Sequence, residues 1–450
     1  MSNLDCLFVH VPSIRKGLSM PSACELVITI SAMGLVSMSN ELTKHGYSSE
    51  IVNLGLEKVL DWTFSLSEYV KLKNVKCIAF SLHWFYQTYD TLYVVKKIKE
   101  EHPDIHITMG GYTSSAFAKD ILEQHPYVDS VIKGEGERPI VELMEALEKN
   151  DLSQVSNLLY RKNNEIIINK KIWVANKEEL DSYNFMNFEN YKNRDSYFKI
   201  PLVIDTYKKP ILNKDMLRVI TCLGRGCPGN CTWCGGGANA VKLLSNRTEV
   251  TLRSPNVVAN EIITAYEKYN INNFYICYDP FPKNQNYVIE LFEILGKTHK
   301  NEIEIGYENF GLPSKDFIYS VKENLSPNSK IVLSPEFGDE ELRALHTPGI
   351  SYPNSELMNC IYYLKELNID TLVYFAEIPG MTSVQKMLTG NLVHRLTQTG
   401  HPRLQITKQP IDDFEPFAPW SINPEKFNVT PNVKTLEDYY LLTKGIRDLF

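Results

Sequence analysis

The sequence predicts an α/β protein with two parallel-sheet units in series, a doubly wound sheet followed by a partial (β/α)6 barrel. Three observations predict it. Short apolar runs alternate with helical patterns through residues 1–150, the alternation lapses between 151 and 215, and a second series of six strand-like runs starts near Leu217. Strands alternating with helices build parallel sheets covered by helices. Six such repeats suit an open barrel that works at the C-terminal ends of its strands. In type, these are a Rossmann-like sheet and a TIM-type barrel.

The first unit opens with an apolar strand over Cys6 to Val11, then a helix over Gly34 to Leu42 that His45-Gly46 ends with a left-handed glycine. Further strands are expected at Glu50 to Leu54, Cys77 to Leu82, Ile105 to Met109 and Val128 to Lys133. A helix over Leu92 to Glu101 is stopped by Pro103. In the connector, Leu158 to Arg161 and Glu165 to Ile168 flank Lys162-Asn163-Asn164, a β-hairpin pattern. The second series has strands at Leu217 to Cys222, Phe274 to Cys277, Ile303 to Gly306, Lys330 to Ser334, Thr371 to Phe375 and Arg403 to Thr407. Helices are expected from Ser254-Pro255 onward, where a capping residue precedes proline, and over Ser355 to Leu367.

Composition narrows the function classes. The 450 residues are 43% hydrophobic and 22% charged with a formal net charge of −7, as in an ordinary globular protein. That balance gives no reason to expect nucleic acid. The N-terminus has no basic region followed by an apolar signal core, and no apolar run is long enough to cross a bilayer, so no membrane partner and a cytoplasmic location are expected. Nine cysteines, an odd number, argue against a secreted disulfide framework.

Four of those cysteines fall within thirteen residues, and residues 224–237 read Gly-Arg-Gly-Cys-Pro-Gly-Asn-Cys-Thr-Trp-Cys-Gly-Gly-Gly. Thiolates suit iron–sulfur clusters, zinc or copper. Spacings of three and two residues bring Cys227, Cys231 and Cys234 round one loop just after a strand. Three ligands leave one iron of a [4Fe–4S] cluster open. The alternative is zinc, with Cys222 as a fourth thiolate in a closed site; against it, Cys222 falls in the strand pattern. Gly224-x-Gly226-x-x-Gly229 formally matches a dinucleotide fingerprint, but Pro228 and the cysteines stand where a helix would have to open.

This loop, with Trp233 before the last cysteine, resembles the signature of the radical S-adenosylmethionine (SAM) superfamily. The resemblance implies a [4Fe–4S] cluster on Cys227, Cys231 and Cys234, with SAM chelated at the open iron and Trp233 near the adenosine. Ser334-Pro335-Glu336 and Leu342-Arg343 resemble SAM-contacting positions in the cobalamin-linked branch. Asp279 closes the second barrel strand where it could meet SAM. Ile107 to Gly111 and Lys133 to Glu137 resemble the Gly-Gly and Gly-Glu-Gly-Glu signatures of the cobalamin-binding domain in that branch. Ser81, Gly110, Gly111, Gly134, Glu135 and Gly136 are therefore the expected cobalamin contacts, although no Asp-x-His-x-x-Gly motif supplies a lower ligand to cobalt. The domains so implied are a cobalamin-binding-like domain over 1–150, a connector over 151–215, a radical SAM barrel over 216–407 and a C-terminal extension over 408–450.

The function this implies is cobalamin-dependent methylation of an unactivated carbon in a small molecule or natural-product intermediate, with an external one-electron donor such as flavodoxin or ferredoxin. The alternative is a dehydratase, epimerase or ring-rearranging enzyme with the same radical start; Cys234-Gly235-Gly236 resembles radical diol dehydratases of aminosugar pathways. A non-enzymatic cobalamin or zinc module is the reading from a different class. Glu377 departs from the small residue often found at its place. With Asp412, Asp413 and Glu415 after the last strand, it is a candidate for substrate contact.

Overall fold

The computed structural model describes residues 3–16, 24–27, 32–199, 203–205, 219–280, 282, 284–411, 414–431 and 433–444. The chain forms two compact units: Met1–Met216 with Leu243–Asn246 and Asn432–Phe450, and Leu217–Lys242 with Arg247–Pro431.

The first unit is built on a seven-stranded sheet. In chain order its strands are β1 (Leu4–His10), β2 (Ser49–Asn53), β3 (Val75–Ser81), β4 (His106–Gly110), β5 (Ser130–Ile132), β6 (Leu158–Lys162) and β7 (Glu165–Ile168). Their order in space is β2-β1-β3-β4-β5-β6-β7. The first five are parallel, and β6 and β7 add antiparallel at the β5 edge. Leu7, Val9, Ile78, Phe80, Ile107 and Met109 fill the core between sheet and helices. Strands buried on both faces must be apolar throughout, which is why these runs do not alternate. The β6–β7 turn places Asn163 and Asn164 at φ 49° and 65°, a conformation asparagine tolerates and a two-residue hairpin requires. The C-terminal helix Leu436–Leu442 packs in this unit, with the Tyr439 ring 5.5 Å from both Phe85 and Phe117.

In the second unit six parallel strands run in simple sequence: β8 (Val219–Ile220), β9 (Asn273–Ile276), β10 (Glu304–Asn309), β11 (Lys330–Glu336), β12 (Asp370–Glu377) and β13 (Leu404–Pro410). Helices between them, such as Pro255–Tyr269 and Asn354–Glu366, complete the open barrel. Along β10, Ile305, Tyr307 and Asn309 are buried while Glu304, Gly306 and Glu308 are half-buried, so a two-residue period puts Glu308 on the opposite face from the core. Strand bounds differ from the sequence reading by at most three residues, and Glu165–Ile168 coincides with it. The helix expected from Leu92 begins at Thr88, a full turn earlier, because the short turn Phe85–Gln87 feeds directly into it. Among the described residues no helix is long and apolar enough to cross a membrane.

Candidate functional site

The cysteine loop leaves the barrel at β8 and is held at both ends. The Thr221 N–H donates to the Tyr275 carbonyl of β9 at 2.9 Å. Gly224–Arg225 then pairs antiparallel with Thr251–Leu252, and Gly226 takes φ 91°. The Gly-x-Gly pattern thus serves a close two-stranded ladder, not a nucleotide. Arg253, fully buried, donates 3.1 Å to the Cys222 carbonyl and 2.6–2.8 Å to both carboxylate oxygens of Glu261. At the far end the Ala238 N–H donates to the Gly229 carbonyl at 2.8 Å, closing the loop on itself before the helix Ala238–Ser245.

Inside this frame Cys227, Cys231 and Cys234 are half-buried and none forms a disulfide. A Cβ placed on Gly229 would lie 3.9 Å from the sulfurs of both Cys227 and Cys231, and one on Gly236 would lie 3.7 Å from that of Cys234. The glycines keep the space beside the sulfurs clear. Burial raises the Cys227 thiol. Burial, then the neighbouring thiols and Glu336, push Cys231 up to about 12; burial and then Glu415 push Cys234 up to about 12. Unmetallated, these thiols stay protonated at neutral pH, so iron must displace their protons to bind. The buried Cys222 sulfur instead points to the Gly224 carbonyl at 3.6 Å. Among the described residues no three His, Cys, Asp or Glu side chains converge as single-ion ligands. A thiolate zinc site would draw its sulfurs to within about 4 Å of each other. Three thiols on one loop are the donor set a [4Fe–4S] cluster would take, and the Cys222 sulfur is turned to a backbone carbonyl instead.

The middle of the loop is clamped from two directions. The Thr232 N–H donates to the His346 carbonyl at 3.0 Å, and the Thr232 carbonyl accepts from Trp420 N–H at 3.1 Å. Trp233 sits among Phe337, His346 and Trp420, with ring centroids 5.9, 6.0 and 6.3 Å away. Burial pushes the His346 imidazole down to about 4, so at neutral pH it packs as an uncharged ring. Glu415 accepts from the Gly235 N–H at 2.6 Å. The carboxylate expected to meet substrate is thus engaged with the cysteine loop.

The barrel mouth holds a second group. Ser334 and Glu336 end β11 across an irregular register with β12, and Glu336 takes φ 63°. A left-handed glutamate is uncommon and is a marker of functional constraint. Burial, then Glu308, push its carboxyl up to about 8. Glu308, which sequence reading missed, accepts from Tyr275 Oη at 3.1 Å. Its alternation along β10 was the available signal. Two other expected SAM contacts are hydrogen-bonded within the barrel. Asp279 is buried and accepts from Tyr307 Oη at 3.3 Å and from the Phe310 N–H at 3.0 Å, so it ties β9 to β10. Arg343 is 1% exposed and so does not lie on a solvated face. Its guanidinium donates to the carbonyls of Pro335 (2.8 Å), Tyr352 (2.5 Å) and Phe337 and to Asn354 Oδ1 (2.6 Å). Glu377 is exposed and paired with Lys386. Asp412 and Asp413 lie outside the described residues.

In the first unit the expected cobalamin residues divide. Ser81 and Gly110 face one another across the β3–β4 register, beside His10 of β1, at the C-terminal edge of the sheet. A Cβ on Gly110 would find nothing nearer than 3.8 Å. Gly111 is different: at φ 110° its Cβ would meet the Leu82 carbonyl at 2.6 Å and His83 Cα at 2.8 Å. It is needed for the chain to pack on itself, not for a ligand to approach. Glu135 is buried and accepts from the Ala175 N–H at 3.0 Å, an internal tie. Gly134 takes φ 88° and its N–H donates to Ser115 Oγ at 2.8 Å; Gly136 packs on the Met38 sulfur. Sequence reading missed His83, Trp84 and Tyr112. The His83 ring lies 4.6 Å from Trp84 and 5.1 Å from Tyr112, edge to face, and its imidazole has no hydrogen-bond partner among the described residues. Burial pushes it down to about 4. His83 and Trp84 follow β3, and Tyr112 follows β4, beside the point where the strand order reverses between β1 and β3, the usual ligand crevice of an open α/β sheet.

Comparison with known proteins agrees with both units. Residues 27–144 match the B12 binding domain model, and residues 221–384 match that of the radical SAM superfamily. An anaerobic magnesium-protoporphyrin IX monomethyl ester cyclase of Synechocystis sp. is 27% identical over 139 residues, 31% of this chain and 24% of the relative. The cobalamin-dependent radical SAM methyltransferase TokK of Streptomyces tokunonensis is 21% identical over 248 residues, 51% of this chain and 31% of TokK. The chain thus spans less than half the length of the curated relatives it matches. The fold matches the radical SAM methyltransferase TsrM of Kitasatospora setae with a TM-score of 0.63 at 14% identity, covering 89% of this chain and 72% of TsrM. With a three-cysteine loop at the end of the first barrel strand, the chain thus carries a radical SAM domain over residues 221–384 and a B12 binding domain ahead of it over residues 27–144.

Proposed function

We propose that this chain is a cobalamin-dependent radical SAM methyltransferase acting on an unactivated carbon of a small molecule. The observation that carries the reading is the Cys227–Cys231–Cys234 loop, cleared by glycines beside its sulfurs, in a chain that also matches the B12 binding domain. The three thiolates would hold a [4Fe–4S] cluster with one iron open for SAM. The C-terminal edge of β1, β3 and β4, with Ser81, Gly110 and the His83–Trp84–Tyr112 group, would hold cobalamin. Bound there, the cluster would supply an electron to the SAM sulfonium and cobalamin would carry a methyl group.

The chain's own residues bind, orient and shield. Trp233, fixed by Phe337 and His346, keeps the loop rigid beside the sulfurs. Arg343 holds the backbone on either side of Glu336, and so maintains the strained turn that presents that carboxylate at the barrel mouth. Glu336 and Glu308 form no ion pair with any described residue, and a cationic group such as the SAM ammonium would offset the burial and the Glu308 repulsion that hold the Glu336 carboxyl up. An external one-electron donor such as flavodoxin or ferredoxin would reduce the cluster.

Product analysis tests this. Reduced protein supplied with hydroxocobalamin, SAM and a competent substrate should form S-adenosylhomocysteine and 5′-deoxyadenosine together. Turnover that forms 5′-deoxyadenosine without S-adenosylhomocysteine, and needs no cobalamin, would replace methyl transfer by dehydration, epimerisation or rearrangement.

A further inference from the structure

We propose that Glu415 positions the cysteine loop and, through its charge, sets the reduction potential of the cluster. The inference rests on the reading of Cys227, Cys231 and Cys234 as cluster ligands. Its starting point is the 2.6 Å hydrogen bond from the Gly235 N–H, adjacent to Cys234, to Glu415 Oε2. The fit is tight: a Cβ on Gly235 would stand 2.7 Å from that oxygen, 3.0 Å from Glu415 Cβ and 3.0 Å from the Pro416 carbonyl. Only a glycine lets the loop lie this close to the 414–416 segment.

The same segment grips the loop twice more. The Trp420 N–H reaches the Thr232 carbonyl, and the fully buried Trp420 ring stacks toward Trp233 and Phe414, at 6.3 and 5.0 Å. Phe417, at φ 63°, turns the chain between Glu415 and Trp420. A chain segment almost two hundred residues from the cysteines therefore closes the loop from below, with a carboxylate at its nearest approach.

A carboxylate there has an electrostatic consequence. Potentials of iron–sulfur clusters follow net charge, hydrogen bonding and exposure, and groups that touch a ligand's neighbours tune it. The negative charge beside Cys234 opposes addition of an electron. It makes the reduced cluster a stronger reductant toward the SAM sulfonium.

The test uses full-length protein with an anaerobically reconstituted cluster, titrated potentiometrically with EPR detection, and iron release to a chelator as a second readout. Glu415→Gln keeps an acceptor for Gly235 and removes the charge. It should retain its iron while the midpoint potential moves to less negative values. Glu415→Ala removes the acceptor as well and should release iron roughly 10- to 100-fold faster, the range for lost support of a metal ligand. An unshifted potential in iron-loaded Glu415→Gln overturns the proposal, as does wild-type iron release in Glu415→Ala. Should Glu415→Gln hold no cluster while its circular dichroism stays native, Glu415→Asp takes its place: a potential at the wild-type value is expected, and a displaced one is contrary. Wild-type protein that binds no cluster would instead refute the reading of the cysteines.

Discussion

Arg343 shows how a residue's chemistry and its place can point in different directions. Its fork of donors suits a carboxylate, yet here it satisfies three carbonyls and an amide oxygen while fully buried. Replacing it by alanine strands those acceptors and leaves a void under the β11 turn. A hydrogen-bonded buried charge of this kind is worth roughly 3 kcal/mol or more. Urea unfolding of Arg343→Ala should show that loss, whereas a solvated arginine would cost less than about 0.5 kcal/mol. The same lesson holds for Asp279 and Glu135. Sequence identifies a carboxylate at a strand end but not which backbone N–H will claim it, because that is decided by the register of the neighbouring strand or segment. The cysteine loop was legible because its information is local: spacing, glycines and one preceding strand suffice. Glu308 and His83 were not, because each gains meaning only beside residues far away in sequence.

At the scale of elements, two adjacent glycines at the end of β4 make opposite predictions. Gly111 has positive φ and backbone atoms within 2.8 Å of its would-be Cβ, while Gly110 has 3.8 Å of clearance. Gly111→Ala should unfold the β3–β4 edge and lower yield and melting temperature sharply, and Gly110→Ala should be tolerated in the apo protein. Equal stability of the two variants would contradict the packing described. Substitution of Gly111 would therefore report on packing, and His83→Ala is the cleaner probe of cobalamin binding. It should leave the fold intact and weaken retention of hydroxocobalamin through gel filtration. Retention at the wild-type level would remove the His83–Trp84–Tyr112 group from the site.

At the scale of the whole molecule, the two α/β units and the six successive barrel strands were legible because helix–strand alternation marks them, while the spatial order of the first sheet carries no such mark. What the sequence hid is which pieces return: residues 414–431 pack in the barrel unit, while the helix Leu436–Leu442 joins the first. Such returns depend on a few aromatic contacts such as Tyr439 with Phe85, which leave no periodic trace. The first unit also has a pH signature. Burial lowers His10 to about 3 and His83, His106 and His125 to about 4, against about 6.5 in an unfolded chain. Between those values the unfolded state binds more protons than the folded one. Stability therefore falls as the pH drops from about 6.5 toward 4, and these groups give no slope above that window. The urea midpoint should be lower at pH 5 than at pH 7; equal midpoints would show that these imidazoles are not buried as described.

The central claim is that three cysteines, and not four, hold a cluster. Iron and acid-labile sulfide should be counted in anaerobically reconstituted wild-type protein and in the four cysteine variants. The account predicts about four of each per wild-type chain, as one [4Fe–4S] cluster requires, the same in Cys222→Ala, and essentially none in Cys227→Ala, Cys231→Ala or Cys234→Ala. Loss of the metal in Cys222→Ala, or a wild-type protein that takes up zinc in place of iron, would contradict it.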